Sequence, residues 1–343
     1  MNLMISFRFL LSYEFNNREN LEGNLFPTED KRGGSMNKPK VIVDGALLLA
    51  IYSILLFFTI FIPVLGIISI FLLPIPFVIY TYRYNISQTI VFFLGACFLS
   101  FLFSSLFGLG VTFMFGMTGI VIGRLVQQKK SGVELLLGGT VSYLITSVIL
   151  YAGTIAIFDL DFNNLIQEST ADTISMFENT MELTGQDSDL IVEQLQQSLE
   201  IFPYLLPSSL VITSLFLAFI SQLLYYPVIK RLKIPVSRLP KFRDLVLPKS
   251  LLWYYLIVLF LTFLELEPGS FLYMAVINLF YVLQLLMIIQ GLSFIYYFCY
   301  IKRIPIFVPI FLTVIAPFLL YIIRILGIID LGFHLRQRIK SKS

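Results

Sequence analysis

Residues 158–203 read FDLDFNNLIQESTADTISMFENTMELTGQDSDLIVEQLQQSLEIFP, and long apolar segments lie before and after them. The acidic insert, residues 159–203, carries ten Asp or Glu residues and no Lys or Arg. The basic segment, residues 230–250, carries seven Lys or Arg residues against a single Asp. Residues 204–229 lie between the two, are apolar, and exceed the roughly 20 residues that a membrane-spanning helix needs. Opposite charges at the two ends of one membrane helix predict an integral membrane protein with a readable orientation.

The composition also indicates a membrane protein. Hydrophobic residues make up 57% of the chain, charged residues 13%, and the mean hydropathy is +0.87. Soluble domains carry about 25% charged residues, so a soluble fold of this composition could not cover its surface with polar atoms. The formal net charge of +3 is small and indicates topology rather than nucleic-acid binding. Cys97 and Cys299 lie in apolar runs, where we expect small core residues without a disulfide.

The alternation of apolar and polar segments predicts the fold. We expect an all-α, polytopic integral membrane helix bundle of eight or nine spans, with an extracytoplasmic amphipathic helical insert. The predicted divisions are an N-terminal extension at 1–35, spans one to five at 36–158, the acidic insert at 159–203, span six at 204–229, a basic cytoplasmic loop at 230–250, the C-terminal spans at 251–329 and a basic tail at 330–343.

Residues 1–35 differ from the rest of the chain. The apolar run at 3–11 is shorter than the roughly 20 residues of a membrane span, and residues 16–35 are polar without periodicity. Arg32-Gly33-Gly34-Ser35 before a methionine is what a translated purine-rich ribosome-binding site can encode. We therefore hypothesise that Met36 is the true start and that the extension is non-native or disordered. A signal peptide fits less well, because no small-residue cleavage pattern follows the apolar run.

Two features inside the spans concern helix packing. Pro74 and Pro76 interrupt span two, and the interruption is either a packed kink or a broken helix that lines a site. Spans three and four are predicted to join at a short turn at Gly108. Small residues at helical spacing let neighbouring helices approach closely in lipid. A packing role is therefore predicted for Gly108, Gly116, Gly119 and Gly123.

The acidic insert is predicted to hold two amphipathic helices. Apolar residues such as Ile174 and Phe177 recur at helical spacing until Gly185 ends the pattern. Asp187 and Asp189 can cap a second helix that follows. The two helices fold onto the membrane surface, or onto each other as a cap over the bundle. Their acidic polar faces disfavour binding to anionic lipid.

Polar side chains inside the spans have two interpretations. Hydroxyls can bond back to carbonyls four residues earlier, and amides can bond between helices. Alternatively, they line a mildly polar, uncharged substrate site that opens on the acidic side. Asp330 and Arg324, near a membrane end, are expected to snorkel to the interface rather than pair at a site. The candidate substrate-lining residues are Pro74, Pro76, Ser142, Thr146, Gln222, Asn278 and Gln284.

The distribution of charge predicts the orientation. With a cytoplasmic N-terminus, the basic loops face the cytoplasm, and the acidic insert and the turns that lack Lys and Arg face outward. Nine complete spans would then place the basic tail outside, against the same rule. The last apolar run is therefore re-entrant, or spans two and nine are not both complete, or the rule fails at this end. The side of the tail stays open.

Stretches near both ends resemble a known family. Gly45-Ala46-Leu47-Leu48-Leu49-Ala50, Pro63 and Leu73-Pro74-Ile75-Pro76-Phe77 are similar to the opening of the YybS-like family of uncharacterised bacterial membrane proteins. The closing stretch, Arg324-Ile325-Leu326-Gly327-Ile328-Ile329-Asp330-Leu331-Gly332, is similar to the ending of that family. The resemblance runs from Met36 to Lys340 and implies a multi-pass protein of the bacterial plasma membrane.

Spans one to six also resemble the six-helix substrate-binding components of energy-coupling-factor vitamin transporters. In those proteins an Ala-x-x-x-Ala face on the first helix docks a transmembrane coupling subunit that works with ATPases. Ala46 and Ala50 match this pattern. Beside the lipid bilayer, the resemblance implies a coupling subunit with its ATPases as partners and a vitamin-like small molecule of unknown identity as substrate.

The sequence lacks the usual residues of catalysis. It has no Gly-x-x-x-x-Gly-Lys-Ser/Thr loop for ATP, and its single histidine, His334, lies in the tail. We therefore expect no enzyme activity, no metal site and no cofactor. The leading hypothesis is a small-molecule binding and transport component without its own ATPase. The alternative is a membrane scaffold or regulatory protein that binds partners through the acidic insert and the basic segment.

Overall fold

The computed structural model describes residues 38–158, 162–184, 199, 201–264, 266–333 and 335–336. Within these ranges the chain is helical and has no strand, which confirms the all-α prediction. The contacts discussed below lie within Leu47–Ser343, one of the two units into which the chain divides. The α-helices are α1 (Lys38–Phe61), α2 (Pro63–Ser69), α3 (Pro74–Arg83), α4 (Ile86–Gln127), α5 (Gly132–Phe158), α6 (Phe162–Thr184), α7 (Leu206–Arg231), α8 (Ser250–Leu261), α9 (Phe271–Ile301), α10 (Phe307–Val314) and α11 (Leu320–Phe333).

Six helical segments of the described chain are long and apolar enough to cross a membrane. A multi-pass bundle is thus confirmed, while the number of eight or nine spans stays a prediction. The segment Ile86–Gln127 has 42 residues, which at about 1.5 Å per residue is roughly twice the ~30 Å hydrocarbon core. It therefore holds two arms. The other five segments are Pro39–Phe61, Pro63–Arg83, Gly132–Ile157, Phe202–Arg231 and Phe271–Ile301.

The two arms of α4 meet at Ser104 and Ser105, so the predicted turn at Gly108 is wrong by a few residues. Ser104 has φ −150° and ψ 30°, and Ser105 has φ 48° and ψ −137°. Gly108 lies inside the second arm, where a Cβ would come within 2.6 Å of the Ser100 carbonyl oxygen. Gly108 is therefore needed where the two arms approach closely. The positive φ of the turn falls on Ser105 instead of on a glycine.

Helix α3 packs against the second arm of α4 along the glycine stripe. A Cβ at Gly119 would lie 2.6 Å from the Pro74 carbonyl oxygen, and Cβ atoms at Gly116 and Gly123 would also crowd α3. Pro74 and Pro76 stand in the first turn of α3, where the missing N–H has no helical partner to lose. The interruption of span two therefore positions a short, fully packed helix.

Helix α1 is joined to the α4 hairpin by a cluster of hydroxyls. The Tyr52 hydroxyl lies 2.6 Å from Thr112 Oγ1 and 3.3 Å from Ser100 Oγ. Ser100 and Thr112 are hydrogen-bonded to each other, and each also reaches a backbone carbonyl of its own arm at 2.7 Å. All three side chains are fully buried. Neutral groups thus satisfy one another in this part of the bundle.

The first helix predicted in the acidic insert is present as α6. It covers Phe162–Thr184, and its carboxylates Glu168 and Asp172 are exposed. Most of the second predicted helix lies outside the described residues. The same holds for the extension at 1–35 and for His334.

The last apolar run is not one continuous helix. A 3₁₀ turn, Ala316–Phe318, separates α10 from α11. Helix α11 then crosses α9 at two glycines. A Cβ at Gly327 would collide with the Met287 carbonyl oxygen, and a Cβ at Gly291 would collide with the Ile323 carbonyl oxygen. This crossing brings the two backbones into direct contact, as small residues allow in lipid.

After this crossing the chain runs back toward the C-terminal end of α9, where the last apolar run began. The Tyr297 hydroxyl donates to the Arg336 carbonyl oxygen at 3.2 Å, and Arg336 Nη2 donates to Ser293 Oγ at 3.0 Å. Tyr297 lies only one turn before the end of α9 at Ile301. The run that starts after Lys302 therefore begins and finishes at the same end of α9. Among the three alternatives for the tail, this contact favours the re-entrant one.

Candidate functional site

The stretch of chain that connects α7 to α9 is only partly helical. Residues 232–249 contain a single 3₁₀ turn, Phe242–Asp244, and α8 follows with 12 residues. Twelve helical residues measure about 18 Å, well short of the ~30 Å hydrocarbon core. Helix α8 alone is therefore too short to span the membrane, and the rest of the chain between α7 and α9 is mostly irregular.

That irregular backbone runs alongside the C-terminal half of α9. The Arg243 guanidinium carbon lies 3.4 Å from the centre of the Tyr300 ring. Further on, the Leu247 N–H donates to Gln290 Oε1 at 2.9 Å. Ten helical residues separate these two positions on α9, which is about 15 Å. The irregular segment thus lies beside α9 from its last turn to Gln290, and the chain becomes helical only after that point.

Two polar side chains of α9 satisfy the exposed backbone groups of this segment. The Ser293 hydroxyl lies 2.7 Å from the Phe242 carbonyl oxygen and 2.8 Å from the Leu245 carbonyl oxygen. Gln290 accepts from the Leu247 N–H, as described above. Backbone groups at membrane depth have no water to bond to, so such internal partners are required. Gln290 and Ser293 are both fully buried.

A buried ion pair closes the same cluster. Arg336 Nε donates to Asp330 Oδ2 at 2.9 Å, and these side chains are 12% and 2% exposed. The same carboxylate oxygen accepts from Gln290 Nε2 at 2.5 Å. Arg336 Nη1 donates to the Arg243 carbonyl oxygen at 2.8 Å, and the guanidinium carbon lies 5.1 Å from the centre of the Tyr297 ring. One arginine therefore joins α9, α11 and the basic segment.

The expectation that Asp330 snorkels to the interface is wrong. The side chain is buried and paired with Arg336, whereas Arg324 lies over the Tyr321 ring at 4.9 Å. Sequence reasoning missed this pair because Arg336 was counted only as a tail charge. It also missed Ser293, although Gln290 and Ser293, three residues apart in an apolar helix, share one face.

A second buried polar cluster lies between α5 and its neighbours, and it contains three of the predicted substrate-lining residues. Ser142 donates to Thr118 at 3.1 Å, and Thr146 donates back to the Ser142 carbonyl at 2.9 Å. The Tyr143 hydroxyl lies 3.0 Å from Ser221 on α7. The third predicted lining residue, Gln222, follows Ser221 in α7. The cluster consists of uncharged groups and joins α4, α5 and α7.

Three buried atoms of α3 and α7 lack a hydrogen-bond partner in the described structure. They are Gln222 Oε1, Tyr225 Oη and Thr81 Oγ1. Gln222 uses only its amide nitrogen, which donates to the Gly132 carbonyl at 2.9 Å. All three side chains are at least 98% buried. Unpaired buried polar atoms are rare in native structures and call for an explanation, such as a bound water or ion.

The other predicted lining residues lie apart from this cluster. Pro74 and Pro76 pack in α3, as described above. Asn278 holds the start of α7, because its Oδ1 accepts from the Ser208 N–H at 2.8 Å and its Nδ2 donates to the Tyr204 carbonyl at 2.7 Å. Gln284 is half-buried on α9. The structure therefore does not gather the set at one place, and a lining role for these residues stays a prediction.

A cleft of about 290 Å³ lies at the other end of α8 and α9. Its walls are mostly apolar and aromatic, and none of the predicted lining residues contributes to it. It is open to the surface, and the polar side chains among its described lining residues are Thr262, Tyr273 and Tyr281. Its lining includes Thr262, Leu264, Tyr273, Ile277, Phe280 and Tyr281.

The predicted docking residues are exposed. Ala46 and Ala50 both face away from the protein interior on α1. Ile54, one turn further along, is 51% exposed. A small-residue face of this kind can accept another membrane helix or can contact lipid.

Six long apolar helical segments whose outer faces expose large hydrophobic side chains define a multi-pass α-helical membrane protein in contact with the lipid bilayer. Comparison with known proteins then identifies the group. The family described as Predicted membrane protein (DUF2232) matches residues 50–331. The chain belongs to this family.

One relative covers most of the chain. The Bacillus subtilis (strain 168) protein named Uncharacterized protein YybS is 30% identical over 312 residues, which span 89% of this chain and all of that protein. The predicted membership of the YybS-like family is thus confirmed. No solved structure matches the chain. The resemblance to energy-coupling-factor components is not tested by these comparisons and stays a prediction.

Proposed function

We propose that the protein binds a small molecule and moves it across the membrane, and that it takes its energy from ATPases of a separate coupling complex. The observation that supports this most is the interrupted stretch of chain between α7 and α9. Its backbone is held by Gln290, Ser293 and the Asp330–Arg336 pair. Irregular backbone and ionisable side chains are costly at membrane depth. In secondary transporters, discontinuous helices are found where substrates and ions bind. A protein that only spanned the bilayer would need neither feature.

The coupling complex is proposed to dock at Ala46 and Ala50. Their exposure on α1 supports this, because a docking face must be open in the isolated chain. The four-residue spacing puts both small side chains on one side of the helix. A partner helix could therefore approach α1 closely along this face.

Copurification from the native membrane tests this docking. We expect a tagged chain to retain a membrane subunit and ATPases, and Ala46→Trp to release them, because the indole would hold the partner helix away. Ile54→Trp is the matched control, since it places the same indole where a large exposed side chain already stands. If the Ala46→Trp protein retains the same ATPases as the wild-type protein, the docking proposal is wrong.

The proposed orientation places the N-terminus and the basic segment in the cytoplasm of a bacterial cell and the acidic insert outside. The excess of Lys and Arg in the basic segment supports it. The contacts of Arg336 with the basic segment support it as well, since they put the tail charges at the same end. No catalytic step is assigned to the chain.

A role as a membrane scaffold is the second candidate. The rigid attachment of the basic segment favours it, because Arg238, Lys241 and Lys249 are exposed on a backbone that Gln290 and Ser293 hold in place. A fixed array of cations suits a partner with an acidic surface. The exposed carboxylates of α6 offer a second surface of opposite charge.

Removal of residues 161–200 separates the two candidates. A transport component should keep its ATPase partners after this deletion, because the insert is remote in sequence from Ala46. A scaffold should lose an extracytoplasmic partner and with it its role. Copurification of the deleted protein, compared with the full chain, reads out both.

A further inference from the structure

The two unpaired atoms of α7 lie on one face of the same helix. Gln222 and Tyr225 are three residues apart, so their side chains point to the same side. They are 2% and 1% exposed, and they bond neither to each other nor to another described group through Gln222 Oε1 or Tyr225 Oη. Gln222 Oε1 is an acceptor without a donor, and the Tyr225 hydroxyl is a donor without an acceptor.

We propose that these two atoms form a binding site for one small neutral molecule that offers a donor and an acceptor side by side. Its N–H or O–H would bond to Gln222 Oε1, and its oxygen or ring nitrogen would accept from the Tyr225 hydroxyl. Amides, lactam-type heterocycles, alcohols and water share this chemistry. The inference rests on the proposed function, because it names the class of molecule that the neutral half of the bundle holds.

The surroundings require the molecule to be uncharged. After Glu134, α5 carries no charged residue, and neither does α7 before Lys230. The bonding groups around the site are hydroxyls, such as those of Tyr143 and Ser221, which already satisfy each other. An ion would find no counter-charge on either helix and, among neutral side chains, would not recover the cost of leaving water.

The location also suits a molecule on its way through the membrane. Gln222 is tied to the first residue of α5, Gly132, and the backbone of Arg238 lies directly on that glycine, 2.5 Å from where a Cβ would stand. The site therefore lies just beneath the basic segment. Release toward this end would require the Arg238 region of the basic segment to move off Gly132.

Tyr225→Phe tests the site, because it removes one oxygen and preserves the ring. An unpaired hydroxyl contributes nothing, so its loss would leave the melting temperature unchanged or raise it. A hydroxyl that holds a bound molecule contributes a hydrogen bond, so its loss should lower the melting temperature by about 2–4 °C. Tyr143→Phe is the matched control, since it removes a hydroxyl that is already paired within the protein and should lower the melting temperature in either case.

Native mass spectrometry of the same purified proteins distinguishes the sources. A retained mass that Tyr225→Phe releases identifies an organic molecule, and a lowered melting temperature without a retained mass identifies water. A Tyr225→Phe protein that melts at or above the wild-type temperature overturns the proposal. That failure leaves ATPase docking at Ala46 untouched, so it is distinguishable from failure of the proposed function.

Discussion

The two halves of this bundle satisfy their buried polar groups in different ways. From Leu47 to the end of α7 the buried polar side chains of the described residues are hydroxyls and one amide, as in the cluster of Tyr52, Ser100 and Thr112, whereas Asp44 near the start of α1 is a buried carboxylate. From the basic segment to α11 they include a carboxylate and a guanidinium, Asp330 and Arg336. The backbone also differs in degree, since residues 232–249 of the second half form a longer irregular segment than the breaks between α2 and α3 and within α4.

The difference shows what each kind of backbone demands. A continuous helix bonds its own N–H and C=O groups, so its side chains need to satisfy only themselves. A broken helix exposes backbone groups that side chains must satisfy. Arg336 can serve several at once because its guanidinium has five N–H donors in a fixed plane. Its charge then requires Asp330 close by.

Topology provides the largest, all-or-none test of this comparison. In a protein without Cys97 and Cys299, we expect Lys340→Cys and Lys241→Cys to react with a membrane-impermeant thiol reagent from the same side. Arg336 lies against the backbone of the basic segment, which forces this outcome. Asp172→Cys should react from the opposite side. If Lys340→Cys and Asp172→Cys react from the same side, the last apolar run crosses the membrane.

Removal of one charge should have the largest energetic effect. Asp330→Ala leaves the Arg336 guanidinium buried without its counter-ion, which costs about 3–5 kcal/mol of unfolding free energy. Replacement of both partners by apolar residues, Asp330→Leu with Arg336→Met, should cost less than the single change. Thermal unfolding in detergent measures both. Equal losses in the single and double variants would contradict a buried ion pair.

The glycine crossing in the second half should rank next. Gly327→Ala places a methyl group against the Met287 carbonyl oxygen and forces α11 away from α9, which we expect to cost about 1–3 kcal/mol. Gly153→Ala is the control, because nothing lies within 4 Å of a Cβ there. Alanine is a better helix former than glycine, so the control should be neutral or slightly stabilising. Similar losses at both positions would exclude close packing as the cause.

The sequence predicts the continuous helices well, since the length of an apolar run is a local property. Predicted span six, 204–229, lies within the helical segment Phe202–Arg231. It fails where distant residues decide. Gly108 is not the turn because the other arm needs its small size. The burial of Asp330 depends on Gln290 of α9 and the Arg243 backbone, which are distant in sequence and meet it and Arg336 only in the fold. The substrate-lining set failed to converge for the same reason, since a list of polar residues carries no information on which helices are neighbours.

The smallest effect should belong to the first half. Tyr52→Phe removes a hydroxyl that lies 2.6 Å from Thr112, but Ser100 and Thr112 remain bonded to each other and to backbone carbonyls. No buried group is left unpaired, so the loss should be near the ~0.6 kcal/mol average for hydrogen bonds within membranes. Tyr321→Phe, at a side chain that is 74% exposed, is the control and should be neutral. A loss at Tyr52 as large as that of Asp330→Ala would erase the distinction between the halves, because neutral hydroxyls would then carry as much stability as the buried charges.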